Sequence, residues 1–159
     1  SASILGTWEI ANVTQTSTEG YVDPVQGTEV VTDTENNSNT FPVDGYTEFW
    51  TFTSAGIMII NGYINGALEE TDSLEYIKNG NNLTFLGEVN YTLTTLTNST
   101  LSFIWDNNDF YENNDTTYFY NNSGSATFNK SNKKINSSIQ SQNKTGKTPF
   151  FKQFINRRK

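Results

Sequence analysis

The chain reads as an all-β protein, an antiparallel up-and-down barrel of eight strands followed by a basic C-terminal tail. Three observations predict this. Asn and Thr are abundant while Ala, Leu and Pro are scarce, a balance that favours strands and turns over helices. Short segments of alternating polarity are separated by turn signals about every 8–12 residues, the spacing of sandwiches and barrels. No stretch between them has the length and periodicity of a crossover helix, so neighbouring strands run antiparallel.

Strands are expected over 5–14, 46–53, 57–64, 67–77, 83–87, 89–97, 100–106 and 116–128. Each break has a mechanism. Ser54-Ala55-Gly56, Asn65-Gly66, Asn79-Gly80-Asn81-Asn82 and Thr97-Asn98-Ser99 put residues that tolerate positive φ or tight bends between apolar runs. Within each strand, alternate residues share a face. Trp8 and Ile10 therefore point one way on the first strand, and Tyr46, Trp50 and Phe52 do so on the second. Leu83 and Phe85, then Val89, Tyr91 and Leu93, then Leu101, Phe103 and Trp105 repeat the pattern. Closure of eight such strands removes exposed edges and leaves an interior that is filled by side chains or just wide enough for one small ligand.

At 159 residues the chain is about one domain long, and such a domain buries roughly 70% of its unfolded surface, enough for a core without staples. The absence of Cys excludes disulfides, thiol nucleophiles and Cys-based zinc sites. The absence of His removes the usual acid–base residue near neutral pH and the commonest metal ligand. With no phosphate-binding glycine loop and no nucleophile elbow, an enzyme is the least favoured class, and no cofactor is expected. No apolar run approaches the ~20 residues of a membrane span, and no signal segment opens the sequence.

Charge divides the chain in two. Residues 1–125 hold all 17 acids and one base, Lys78, a formal charge of −16, whereas residues 126–159 hold nine Lys or Arg and no acid. The expected organisation is a barrel over 1–128 and a basic segment over 129–159. Asn129 to Thr148 is polar and reads as a linker. Beyond it, Phe150, Phe151, Phe154 and Ile155 would form one apolar stripe on a short helix, with Lys152, Arg157, Arg158 and Lys159 off it. Three occupations fit this end: a latch on the chain's own acidic barrel, a protein partner, or an anionic membrane surface. Nucleic acid is excluded, because a strongly acidic body repels phosphate.

Two motifs carry a resemblance. Leu5-Gly6-Thr7-Trp8-Glu9-Ile10 opens a strand with Gly-x-Trp, and Glu48-Phe49-Trp50-Thr51-Phe52-Thr53-Ser54-Ala55-Gly56 runs an aromatic strand into a small-residue turn. With the Tyr76–Phe85 hairpin and the Tyr91–Phe103 segment, the chain over about residues 4–130 resembles the lipocalin-like domains of exported bacterial proteins. The resemblance implies that Gly6 lets the first strand bend across the closed end and that Trp8 plugs it. A basic residue beside that Trp is implied too, and Lys130 is the nearest candidate. It further implies a small hydrophobic or amphipathic ligand held by inward aromatics near the open end, Trp50, Phe52, Tyr91, Phe103 and Trp105. Export to the periplasm, the outer membrane or the cell surface follows from the same resemblance, with a lipid anchor as one form of it. The alternative role is an interaction or accessory subunit of a cell-envelope complex, docking through the tail and through a polar insertion at 15–45. That insertion, containing Thr28-Glu29-Val30-Val31, either adds a strand or folds over the barrel mouth.

The carboxylates are expected outside. Asp106–Asp115 lacks the Gly and the terminal Glu of an EF-hand loop, which leaves a solvated hairpin loop as the default and a weak calcium site as the alternative. Glu69, Glu70, Asp72 and Glu75 fall, by alternation, mostly on a solvent face.

Overall fold

The computed structural model describes residues 1–85 and 90–135. Among the described residues nine strands lie in one antiparallel sheet: β1 (Gly6–Val22), β2 (Glu29–Thr40), β3 (Tyr46–Phe52), β4 (Ile57–Ile64), β5 (Ala67–Asn79), β6 (Asn82–Phe85), β7 (Asn90–Leu96), β8 (Thr100–Asn113) and β9 (Thr116–Ser131). Their order is β2-β1-β3-β4-β5-β6-β7-β8-β9, and β1 also pairs with β9. That pairing closes eight strands into the expected barrel and leaves β2 as an extra strand.

Two strands run longer than expected, and a third is added. β1 does not stop near residue 14 but continues to Val22, and the 15–45 insertion supplies β2, which pairs with β1 from Asn12↔Thr40 to Val22↔Glu29. The 106–115 segment is not a loop: β8 runs to Asn113 and pairs with β9 as far as Asn113↔Thr116, leaving Asn114 and Asp115, both at positive φ, as the turn. Ladders explain both misses: β1 beyond Thr14 is paired on each side, with β2 and β9, and β8 beyond Trp105 pairs with β9, so neither needs apolar alternation to form a strand. β3 borders β1 only over Gly6–Glu9, and β7 borders β8 only as far as Ile104. Above those points β2, β1, β9 and β8 rise past the barrel as a four-stranded blade, about 25–30 Å long at the usual rise per residue.

One end is closed and apolar. Ile4, Trp8, Phe52, Met58, Leu83, Leu101 and Phe128 are buried there and in the middle of the barrel, with Leu74, Tyr76 and Leu96 packed against them. Three aromatic rings form a stack at mid-height, Trp50–Phe128 at 4.6 Å, Trp50–Phe103 at 5.7 Å and Phe103–Phe128 at 5.7 Å between centroids. On the outer wall Phe49 and Tyr63 are also buried, meet edge to face, and carry the Lys133 ammonium above both rings. The expected strand ends at 86–89, with Val89, and the expected C-terminal helix lie outside the described residues.

Candidate functional site

Two ends of the barrel have different chemistry. At the closed end Gly6 has φ +109°, and the Trp8 indole N–H donates to the Ile4 carbonyl at 2.7 Å, folding the N-terminal residues under the barrel. Lys130 completes the seal. Its ammonium donates to the Leu5 carbonyl and lies over the Trp8 ring, 4.3 Å from the centroid. An added Cβ on Gly6 would come within 2.5 Å of that ammonium nitrogen, so the glycine leaves the room the lysine occupies.

The residues next up each strand continue the same buried core, none of them more than 4% exposed. Trp50, Phe103, Tyr91 and Trp105 converge: Tyr91 lies 5.2 Å from Phe103 and 5.7 Å from Trp105. Phe52 does not join them. β3 runs from the open end to the closed end, which leaves Phe52 paired with Gly6 and packed on Tyr76 at 5.0 Å. The tail residues Phe150, Phe151, Phe154, Ile155, Arg157 and Arg158 lie outside the described residues.

Above the aromatic layer the interior turns polar, which sequence reasoning missed. Glu48 is fully buried on the face shared by Tyr46 and Trp50; it accepts from the Tyr46 hydroxyl at 2.7 Å and from the Trp50 indole N–H at 3.0 Å. Burial, and then the negative field of Glu48, hold the Tyr46 hydroxyl far above the ordinary tyrosine range. Glu70, expected on a solvent face, is buried instead. The register of β4 and β5 slips between Gly62 and Tyr63, so that Gly62 faces Glu70 while Tyr63 faces Leu68. Glu70 and Asp72 share one face with Leu74 and Tyr76, and the extra residue, Glu69, sets that face opposite Gly62 and Ile60. Gly62 leaves the space: a Cβ there would stand 2.8 Å from the Tyr46 hydroxyl and 3.4 Å from the Glu70 Cβ. Alternation along β3 alone would have found Glu48, and alternation back from Tyr76 and Leu74 would have found Glu70; only the bulge at Glu69 has no local signal.

A second polar group sits at the foot of the blade. The Trp105 indole N–H donates to Asn122 Oδ1 at 2.6 Å, and Asn122 Nδ2, Tyr120 OH and Gln15 Nε2 all converge on Ser17 Oγ at 3.0, 3.2 and 3.3 Å. Trp105 lies flat over Gly124, where an added Cβ would meet the indole at 2.5 Å. The inner face of the blade continues upward in cross-strand rows, Ser17–Asn122–Asn107, Glu19–Tyr120–Asp109 and Tyr21–Tyr118–Tyr111. In the last row Tyr111 and Tyr118 stack at 5.3 Å, with Tyr111 exposed. Among the described residues no group of three or more His, Cys, Asp or Glu is arranged to hold a metal ion. Nor does any described helix cross a membrane by length and apolarity.

The upper half of the described interior therefore has donors, acceptors and aromatic rings. Its class is a closed antiparallel eight-stranded barrel with one extra strand, consistent with a lipocalin-like barrel. No family model, no curated protein and no solved structure matches this chain.

Proposed function

We propose that this protein is a non-catalytic binding protein, a lipocalin-like barrel that takes up a small hydrophobic or amphipathic molecule at its open end. The observation that carries the reading is the graded interior. The closed end is apolar and sealed by Trp8 and Lys130, whereas Trp50 and Trp105, buried farther up the interior, direct their N–H groups to Glu48 and Asn122. Aromatic faces beside a few fixed polar groups suit a ligand with one apolar and one polar part. Trp50, Tyr91, Phe103 and Trp105 supply the faces in this reading, and Phe52 belongs to the floor. Export to the cell envelope is part of the same proposal and rests on the resemblance of the Gly6-x-Trp8 and Trp50–Gly56 motifs.

Native mass spectrometry of the full chain purified from its own host, before and after denaturation, tests it. A small molecule released on unfolding supports the reading. Protein that carries none, and binds no apolar probe, would sink it.

A second reading, an accessory subunit of an envelope complex, is favoured by one observation. β2 is exposed along nearly its whole length and presents an outer edge that pairs with no described strand. Such an edge is a template for an added strand from a partner. A host protein that co-purifies with the chain, and is lost when β2 is interrupted by proline, would favour this role.

A further inference from the structure

Strand alternation gives the barrel an outer wall whose side chains should meet solvent, and on one side they do not. On β3 and β4 the inward residues are Trp50, Phe52, Met58 and Ile60, all in the core, so Phe49, Thr51, Ile59, Asn61 and Tyr63 point outward. None of these five, nor Thr71 beside Asn61 on β5, is more than 9% exposed. The far side of the barrel behaves as an open face does: Thr92 and Ile104, paired and outward on β7 and β8, are exposed, Ile104 at 45%. Something therefore lies over β3, β4 and β5.

The chain itself leads there. Ser131, the last residue of β9, pairs with Thr7 on β1, and Thr7 pairs with Thr51 on β3. Two residues on, the Lys133 ammonium is 4.3 Å from the Tyr63 ring centroid and 5.2 Å from that of Phe49, and Ile135 is half-buried. The backbone thus leaves the barrel across the outside of β1 toward β3 and β4, and residues 136–159, outside the described residues, come next. Extended, the chain from Ile135 to Phe150 reaches up to about 50 Å, whereas the wall from β3 to β5 is about 10 Å wide. The chemistry of wall and segment also matches. Phe49, Ile59 and Tyr63 offer apolar ground, Glu9 beside Phe49 and Glu75 opposite Ile57 flank it with acid, and residues 126–159 carry nine Lys or Arg and no acid.

We infer that the outer wall of β3, β4 and β5 is the docking site of the chain's own C-terminal segment, with the apolar side chains of Phe150, Phe151, Phe154 and Ile155 against Phe49, Ile59 and Tyr63. Held there, the segment is a latch that withholds its apolar and basic groups from other partners. A tethered segment meets its site at an effective concentration in the millimolar range, so a weak contact suffices to keep it in place. This surface is separate from the interior that the binding-protein reading uses, and neither depends on the other.

The sequence has no Cys, so one introduced thiol reports the accessibility of one position. In the full chain, Ile59→Cys should react with a maleimide at least tenfold more slowly than Ile104→Cys on the open wall. Adding Phe150→Ser, Phe151→Ser, Phe154→Ser and Ile155→Ser should raise the Ile59→Cys rate at least tenfold and leave the Ile104→Cys rate unchanged. Circular dichroism checks that each variant is folded. Thr51→Cys serves as reporter should Ile59→Cys disturb the sheet. Lys152→Glu with Arg157→Glu and Arg158→Glu replaces the serine set should that set disturb folding, and should speed the reaction severalfold. Equal rates at the two positions in the full chain would mean that nothing covers the wall. A slow rate that the tail substitutions leave unchanged would mean that another cover lies there, and a rate that rises on dilution would put a second copy's tail in its place. Each of these three results overturns the inference.

Discussion

The Lys130 ammonium stands 4.3 Å above the Trp8 ring and donates a hydrogen bond of 2.6 Å to the Leu5 carbonyl, tying the last strand of the barrel to the first at its closed end. The contact joins residues 125 apart in sequence. Lys130→Met keeps the stem and removes the charge, and should lower stability by about 1 kcal/mol, or about 2–4 °C in Tm at this size. Trp8→Ala empties the plug and should cost about 3–5 kcal/mol. Thermal unfolding of both variants checks the pair; equal losses would mean that the lysine, not the ring, closes the barrel.

Gly124 and Trp105 make a second sensitive pair. A methyl group at 124 would meet the Thr14 carbonyl oxygen as well as the indole, at 2.5 Å, so the backbone of β1 or the ring with its bond to Asn122 must shift. Gly124→Ala should destabilise the protein by about 1–3 kcal/mol, as overpacking does, despite the gain alanine normally brings over glycine. Urea unfolding with tryptophan emission as the probe should show both the lower midpoint and an altered native spectrum.

Tyr46 makes stability depend on alkaline pH. Its hydroxyl is held protonated in the fold by burial and by Glu48, above its ordinary value of 10.0. A group whose folded pKa is raised contributes stability that is present below the unfolded pKa and is lost as pH climbs beyond it. Tyr46 should therefore resist ionisation until the protein unfolds, and stability should fall as pH rises above about 10. Tyr46→Phe should reduce that fall, and at neutral pH it should cost about 1–3 kcal/mol through the lost bond to Glu48. Absorbance titration at the tyrosinate band, run beside circular dichroism, measures both.

The outer edge of β2, which pairs with no described strand, carries charge. Asp33 and Glu35 are exposed in the middle of a strand otherwise rich in Val, Thr and Asn. Asp33→Val with Glu35→Val should leave the barrel folded and promote edge-to-edge association. Light scattering should rise with concentration in the variant and stay flat in the parent chain.

Strand order at the barrel level was legible because it depends on local signals. Turn residues such as Asn65-Gly66, at φ +49° and +83°, mark where one strand ends and its antiparallel neighbour begins. Alternation then placed Trp8, Trp50, Tyr91, Phe103 and Trp105 inside, and all are buried. The blade was not legible. Gln15–Glu19 and Asp106–Asn113 are polar enough to read as loops, and only pairing makes them strands, the first to Gly124–Tyr120 about 100 residues away and the second to the facing arm of its own hairpin.

What the sequence determined by itself was the all-β class, the turns, the inward aromatics and the split between an acidic body and a basic end, because each follows from neighbouring residues or from composition. What only the tertiary structure decided was register. A single extra residue at Ala11 keeps Val13 and Gln15 on the face begun by Trp8 and Ile10, and another at Glu69 sets Glu70 and Asp72 opposite Gly62 and Ile60. A strand repeats every two residues, so a bulge of one exchanges its faces, and whether a bulge forms is settled by the partner strand. The polar lining of the open end, Glu48 with Glu70 and Ser17 with Asn122 across 105 residues, exists because of those settled registers.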